Sequence, residues 1–211
     1  MVRVVLVHGA ATSARVWDRL APLLPDHDVV AVTRPRTGDL ARELAWLAPQ
    51  VEGAWVVGMS GGATIGLALA SGPVPLAGAI LHEPAVGRLA PSLLGPMVRA
   101  FEEGGTTAFA RTLYGDAWTP ELFGEPVDDA VTARELAMFR HFEPEPLSAT
   151  PGRVVVTVGE RSPAIRHASV EALRSAYGHE VLVVPRASHF AAYESPHEFA
   201  STVLAVIAPT H

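Results

Sequence analysis

The stretch AWVVGMSGGATIGLALAS, residues 54–71, decides the fold. It opens as a short apolar run of the kind that forms a buried strand. It then passes through Gly58-Met59-Ser60-Gly61-Gly62 into small apolar residues at helical spacing. A strand that turns abruptly into a helix drives the side chains flanking the turn into one another, and glycines two positions either side of the serine relieve that collision. The turn would lift the Ser60 hydroxyl off the end of the strand. The first amides of the following helix, that of Gly61 foremost, would face any negative charge developing beside it. A glycine-rich strand–helix junction with an ordinary serine cap would share part of this pattern, so the surrounding chain has to discriminate.

Outward from this turn, short apolar runs recur at residues 2–7 (VRVVLV), 28–33 (DVVAVT), 76–81 (LAGAIL), 153–159 (RVVVTVG) and 180–185 (EVLVVP). Apolar residues at helical spacing fill the intervals at 13–24, at 39–48 (closed by Pro49), at 164–177 and at 195–207, which has Pro196 in its first turn. Strands alternating with helices predict an α/β fold: a doubly wound, mostly parallel sheet of about six strands, covered on both faces. From Pro84 to about Thr150 the alternation stops. Helical patterns at 92–103, 106–113 and 128–142, punctuated by Gly104-Gly105, Pro120, Pro126, Pro144 and Pro146, predict a helical lid insertion over one end of the sheet. The expected division is a core of residues 1–84 and 147–211 with an insertion of 85–146.

Composition narrows the function. The 211 residues are 49% hydrophobic and 18% charged, which is globular, and the net charge of −6 offers no attraction to nucleic acid or an anionic membrane. No apolar run approaches the roughly 18 residues of a membrane span, and the first residues read as a strand rather than a leader, so a cytoplasmic chain is expected. The absence of cysteine excludes disulfides, thiolate nucleophiles and thiolate-bound metal, and the absence of lysine excludes Schiff-base and Ser-Lys chemistry. The Arg-only, Ala/Gly/Pro-rich usage fits a GC-rich bacterial genome.

Two further loops fit a serine nucleophile. His8-Gly9-Ala10-Ala11 follows the first strand, and in a parallel sheet it lies beside the Ser60 turn; the Ala10 and Gly61 amides would make a two-donor oxyanion hole. For His8, ordering of this loop is favoured over catalysis. His189 follows the last strand and reaches the same edge of the sheet, as a general base must. His27, His167, His179 and His211 sit in turns or exposed helix, His141 in the insertion and His197 in the last helix, and none is as well placed. Trp17 and Met59, together with the Leu/Phe/Met-rich insertion, suggest an apolar substrate pocket; the alternative is that they belong to the core.

At these residues the chain resembles the α/β-hydrolase superfamily. The strand-HG start, the GMSGG turn, the helical insertion and the strand-loop-His end follow that superfamily's order across nearly the whole length. The chain begins at the HG strand, in which compactness it resembles the small esterase and hydroxynitrile-lyase branch. The resemblance implies serine-nucleophile acyl chemistry without metal or organic cofactor, and a small-molecule substrate; a homodimer is compatible with it. Two departures stand out. The loop after the second strand reads Thr33-Arg34-Pro35-Arg36-Thr37-Gly38 instead of Asp-x-x-Gly-x-Gly, and Ser162 occupies the usual position of the triad acid.

Two carboxylates could replace that acid. Glu160 is local, but two positions short of the usual place. Glu83, in Leu81-His82-Glu83-Pro84, follows the strand expected beside the Ser60 strand, where a subset of haloalkane dehalogenases carry their acid, and it is favoured. The expected function is hydrolysis of a small to medium apolar ester, thioester or lactone through an acyl-enzyme. A cofactor-free lyase or cyclase of secondary metabolism using Ser60 and His189 as acid and base is the alternative; a non-catalytic ligand-binding homologue is a third. A neutral His189 would put the acid limb of kcat/KM near pH 6.5.

Overall fold

The computed structural model describes residues 1–149 and 151–208. His211 and Thr150, which figure in the readings above, lie outside the described residues. Six strands form one sheet: β1 (Arg3–Val7), β2 (Asp28–Val32), β3 (Trp55–Met59), β4 (Gly78–His82), β5 (Arg153–Gly159) and β6 (Glu180–Val184). Their order is β2-β1-β3-β4-β5-β6, and every pairing is parallel. All five residues of β3 and all five of β4 are buried. Because successive side chains point to opposite faces, both faces of the sheet must be covered. Helices α1 (Leu40–Val51), α2 (Gly61–Ser71), α5 (Ala164–Tyr177) and α7 (Pro196–Ile207) provide that cover. The strand order reverses direction between β1 and β3, and the crevice beyond the carboxyl ends of those two strands is where sheets of this kind bind ligands.

Between β4 and β5 the chain leaves the sheet for α3 (Gly95–Tyr114) and α4 (Asp129–Arg140). Helix α3 is broken at Gly104 and Gly105, the latter at φ +62°, which only glycine adopts at low cost. The break exposes a new helix start at Thr106, whose N–H donates to Asp129 Oδ1 at 2.8 Å, so α4 caps the second half of α3. The remaining helix, α6 (Ala191–Glu194), is a single turn after the His189 loop.

Two local expectations are corrected. Residues 13–24 form two 3-10 turns, Ala14–Trp17 and Ala21–Leu23, instead of a helix. Pro22 has no amide hydrogen and its ring collides with the carbonyl four residues back, so the segment closes with shorter bonds such as Leu20 N–H to Trp17 O and Leu23 N–H to Leu20 O. Pro49 lies inside α1 instead of ending it; Gln50 Nε2 donates to Trp46 O at 2.8 Å, satisfying a carbonyl in the turn that the proline distorts.

The insertion is pinned to the core by a buried cation. Arg34 donates through Nε to His8 O, through Nη1 to Glu43 on α1 and through Nη2 to Glu135 on α4. All three side chains are buried. A buried guanidinium needs these acceptors, since removing one partner of such a group typically costs about 3–5 kcal/mol. Nearby, Arg36 stacks its guanidinium over the Phe123 ring at 4.3 Å and donates to Phe123 O. The unusual 33–38 loop therefore holds the insertion at two points.

The Ser60 turn depends on a close approach of backbones. A Cβ on Gly62 would lie inside the contact distance of the Val7 and His8 carbonyl oxygens, neither of which can swing away. Gly62→Ala should therefore destabilise the fold by about 2–4 kcal/mol, lowering the melting temperature by roughly 5–10 °C. Gly53→Ala, at φ +68° with open space around it, should cost only about 1 kcal/mol. Thermal melts of the two variants by circular dichroism check both values.

Candidate active site

The last residues of β3 and β4, Met59 and His82, are aligned with each other and with Thr157 of β5. One step beyond this row, Ser60 N–H donates to His82 O at 2.8 Å and Glu83 N–H donates to Thr157 O at 2.9 Å, so both residues are fixed by the sheet itself. Both also carry positive φ, +55° for Ser60 and +50° for Glu83. Side chains other than glycine pay for that conformation, and such strain concentrates where a side chain must be aimed rather than packed.

Glu83 is buried and its carboxylate is fully engaged. His189 Nδ1–H donates to Oε2 at 2.7 Å. Gly159 N–H donates to Oε1 at 2.9 Å, and the Ser162 hydroxyl donates to the same oxygen. Arg166 Nε lies 3.2 Å from Oε2. Burial alone would favour the protonated acid, but the neighbouring His82, His189 and Arg166 outweigh it and hold the Glu83 carboxyl far below the usual carboxylate range. Ser162, at the position where the acid was missing, thus turns its hydroxyl to a carboxylate delivered from the neighbouring strand. Glu160 is exposed, accepts from Arg186 N–H at 2.7 Å and points away from His189.

His189 is buried, and with its Nδ1–H on Glu83 its Nε2 is left as the lone-pair nitrogen; that atom has no hydrogen-bond partner among the described residues. Burial, reinforced by the Arg166 charge, pushes the imidazole down to about 4 despite Glu83. His82 supports the loop that carries it. Its Nε2–H donates to Ser188 O at 3.1 Å, so its Nδ1 accepts from the Thr157 hydroxyl at 2.9 Å. His8 orders its own loop. Arg34 N–H donates to its Nε2 at 3.0 Å, which leaves Nδ1–H to donate to Gly9 O at 2.8 Å. Burial and the Arg34 charge keep His8 neutral.

The insertion closes over Ser60. Its Tyr114 hydroxyl donates to Ala10 O at 2.8 Å and, like the Ser60 side chain, lies against Gly9. The Tyr114 ring stacks on that of His189, with centroids 5.6 Å apart. The side chains of Phe139, Leu136, Phe109 and Met97 line the same space, leaving a cavity of about 20 Å³ against Ser60 and Gly61. That is room for about one water molecule. Outside it, a groove of about 410 Å³ runs along His189, Tyr114 and Arg166. Trp17 and Met59, expected near the substrate, are fully buried in the core and line neither space; the apolar walls come from α3 and α4 instead. Among the described residues, the Ala10 and Gly61 amides donate to no other group, and no cluster of His, Asp and Glu is arranged to hold a metal ion.

Tyr114, His82 and Arg166 escaped the sequence reading. His82 had a signal in its adjacency to Glu83. Tyr114 and Arg166 had none, because only tertiary packing brings them to the sheet edge.

This arrangement can be set beside known proteins. The profile of the alpha/beta hydrolase family matches residues 4–202. No curated protein matches the chain by sequence. Among solved structures, a hydrolase from Pseudomonas aeruginosa PA01 is similar at 20% identity and a TM-score of 0.73, covering 98% of this chain and 90% of that one. The enol-lactonase from Burkholderia xenovorans LB400 is similar at 19% identity and a TM-score of 0.74, covering 97% and 90%. A lipase-esterase related protein from Clostridium acetobutylicum ATCC 824 is similar at 12% identity and a TM-score of 0.75, covering 97% and 93%. At these identities the structures speak for the fold. The family match, which spans the HG loop, the Ser60 turn and the His189 loop in one continuous alignment, shows that this chain belongs to the alpha/beta hydrolase family.

Proposed function

We propose that the protein is a serine-nucleophile hydrolase of small to medium esters, thioesters or lactones with an apolar body. The observation that carries this reading is the Glu83–His189 pair at 2.7 Å, which leaves a bare Nε2 on the same sheet edge as Ser60. A carboxylate on Nδ1–H fixes the tautomer and stabilises the imidazolium that forms during proton transfer.

The steps follow from these groups. Outward movement of Tyr114 opens the small cavity to the groove. His189 Nε2 takes the Ser60 proton as Oγ attacks the substrate carbonyl carbon. The carbonyl oxygen becomes an oxyanion facing the Ala10 and Gly61 amides, a hole whose single donors are worth about 3 kcal/mol each. Collapse of this intermediate breaks the bond to the leaving group, which departs with the proton from His189. Water, deprotonated by the same nitrogen, then releases the acid and restores Ser60.

A p-nitrophenyl ester chain-length series tests the reading. Ser60→Ala should retain the fold and lose about 10⁵–10⁶ in turnover; turnover within tenfold of wild type would refute a serine mechanism. Glu83→Gln should lose about 10²–10⁴ in kcat, while Glu160→Gln stays near wild type. A loss confined to Glu160→Gln would move the acid to the β5 loop.

The pH profile is a separate check. The base works only when neutral, so kcat/KM falls as the pH drops through its pKa. Because burial moves His189 down to about 4, the acid limb should sit clearly below 6.5, with activity persisting into mildly acidic buffer, and His189→Ala should remove it. A limb at or above 6.5 in the free enzyme would contradict the burial seen for His189.

A further inference from the structure

Arg166 is a cation with more hydrogen-bonding capacity than its surroundings use. It stands in the first turn of α5, its N–H donating to Pro163 O at 2.8 Å, and that turn carries its side chain inward, so that the residue is only 7% exposed. Its Nε faces Glu83 Oε2 at 3.2 Å. Its two Nη groups donate to no acceptor among the described residues. A guanidinium stays charged in proteins and presents its N–H groups as a fork matched to a carboxylate; here the fork is left to solvent in the outer groove and is free to receive a carboxylate.

Its surroundings offer it little. Among the described residues Glu83 is the one carboxylate lining the inner cavity, and His189 already holds its Oε2. Burial of Arg166 is not offset by Glu83 alone, and its guanidinium is held below its ordinary value. Glu194, at the rim of the outer groove, accepts from the Ser188 hydroxyl at 2.6 Å and is not bonded to Arg166.

Position completes the case. Arg166 is in the wall that separates the inner cavity at Ser60 from the outer groove at His189, and it lines both. The rest of that shared wall is Leu93, Met97 and Leu113. A ligand spanning the two spaces would lie along apolar side chains with one buried cation beside it.

We propose that Arg166 receives a carboxylate carried by the substrate, so that the preferred substrates are esters, thioesters or lactones of dicarboxylic acids with one end free. This rests on the hydrolase reading of the Ser60 site and deepens it. The substrate carboxylate docks on the Nη fork and orients the carbonyl toward Ser60.

The test compares p-nitrophenyl half-esters of succinic, glutaric and adipic acid with the same compounds capped as methyl esters, which differ only in the charge. Wild-type enzyme should favour the best half-ester by at least about tenfold in kcat/KM, and Arg166→Gln should bring that ratio to about one. Arg166→Lys, which keeps a point charge without the fork, should retain part of the preference. Circular dichroism melts establish that each variant is folded, and the wild-type ratio needs no variant. A wild-type ratio of one or less, or equal losses on both substrates in folded Arg166→Gln, would overturn the proposal. Calorimetry of glutarate with Ser60→Ala, and with Ser60→Ala/Arg166→Gln, separates this inference from the hydrolase reading. Arg166-dependent binding without turnover of any ester by wild type would refute the hydrolysis and leave the anion site standing. Absence of glutarate binding to folded Ser60→Ala would remove the anion site.

Discussion

A carboxylate kept charged in a dry interior is the constraint around which this sheet edge is built. Glu83 is 1% exposed, and an ionised group at that depth survives only if every lone pair is met. The chain meets it from four directions: His189 from the loop after β6, Gly159 from the end of β5, Ser162 from the following turn and Arg166 from α5. Each is placed by an element that also closes the sheet. The positive φ of Glu83 turns its side chain toward these donors instead of along the strand direction. Functional geometry and fold are thus one set of hydrogen bonds.

The closed insertion follows from a second buried charge. Arg34 draws together the HG loop, α1 and α4, and Glu135 brings with it Leu136 and Phe139, which cover the Ser60 turn. One oxygen of Glu135 has no hydrogen-bond partner among the described residues, and burial raises its carboxyl toward the neutral form. This end of the pin is consequently its weaker end. Tyr114 adds a contact of a different kind. Its hydroxyl donates to Ala10 O and its ring covers the His189 face, so the insertion is held to the HG loop and to the His189 loop by one side chain.

The two departures noticed in the sequence have structural answers. Where relatives carry Asp-x-x-Gly-x-Gly, Arg34 and Arg36 tie the insertion down. Where relatives carry the triad acid, Ser162 serves as a hydroxyl donor to Glu83. Ser162 reaches Glu83 because β4 and β5 are adjacent, with the end of β4 at His82 aligned on Thr157 of β5.

By itself the sequence determined the elements, the parallel sheet and the Ser60 turn, because strand and helix periodicities and glycine spacing are local consequences of backbone sterics. It also pointed to Glu83 and His189, because both immediately follow apolar runs that must be neighbouring strands. It misread residues 13–24, where Pro22 defeats a helical apolar pattern, and it left Trp17 and Met59 open between pocket and core; both are buried in the core. Only the tertiary structure decided which side chains of the insertion close the site, that Tyr114 stacks on His189, and that Arg166 comes to rest beside Glu83. Those contacts join residues dozens to more than a hundred positions apart, set by how α3, α4 and α5 lie on the sheet, and no spacing along the chain encodes them.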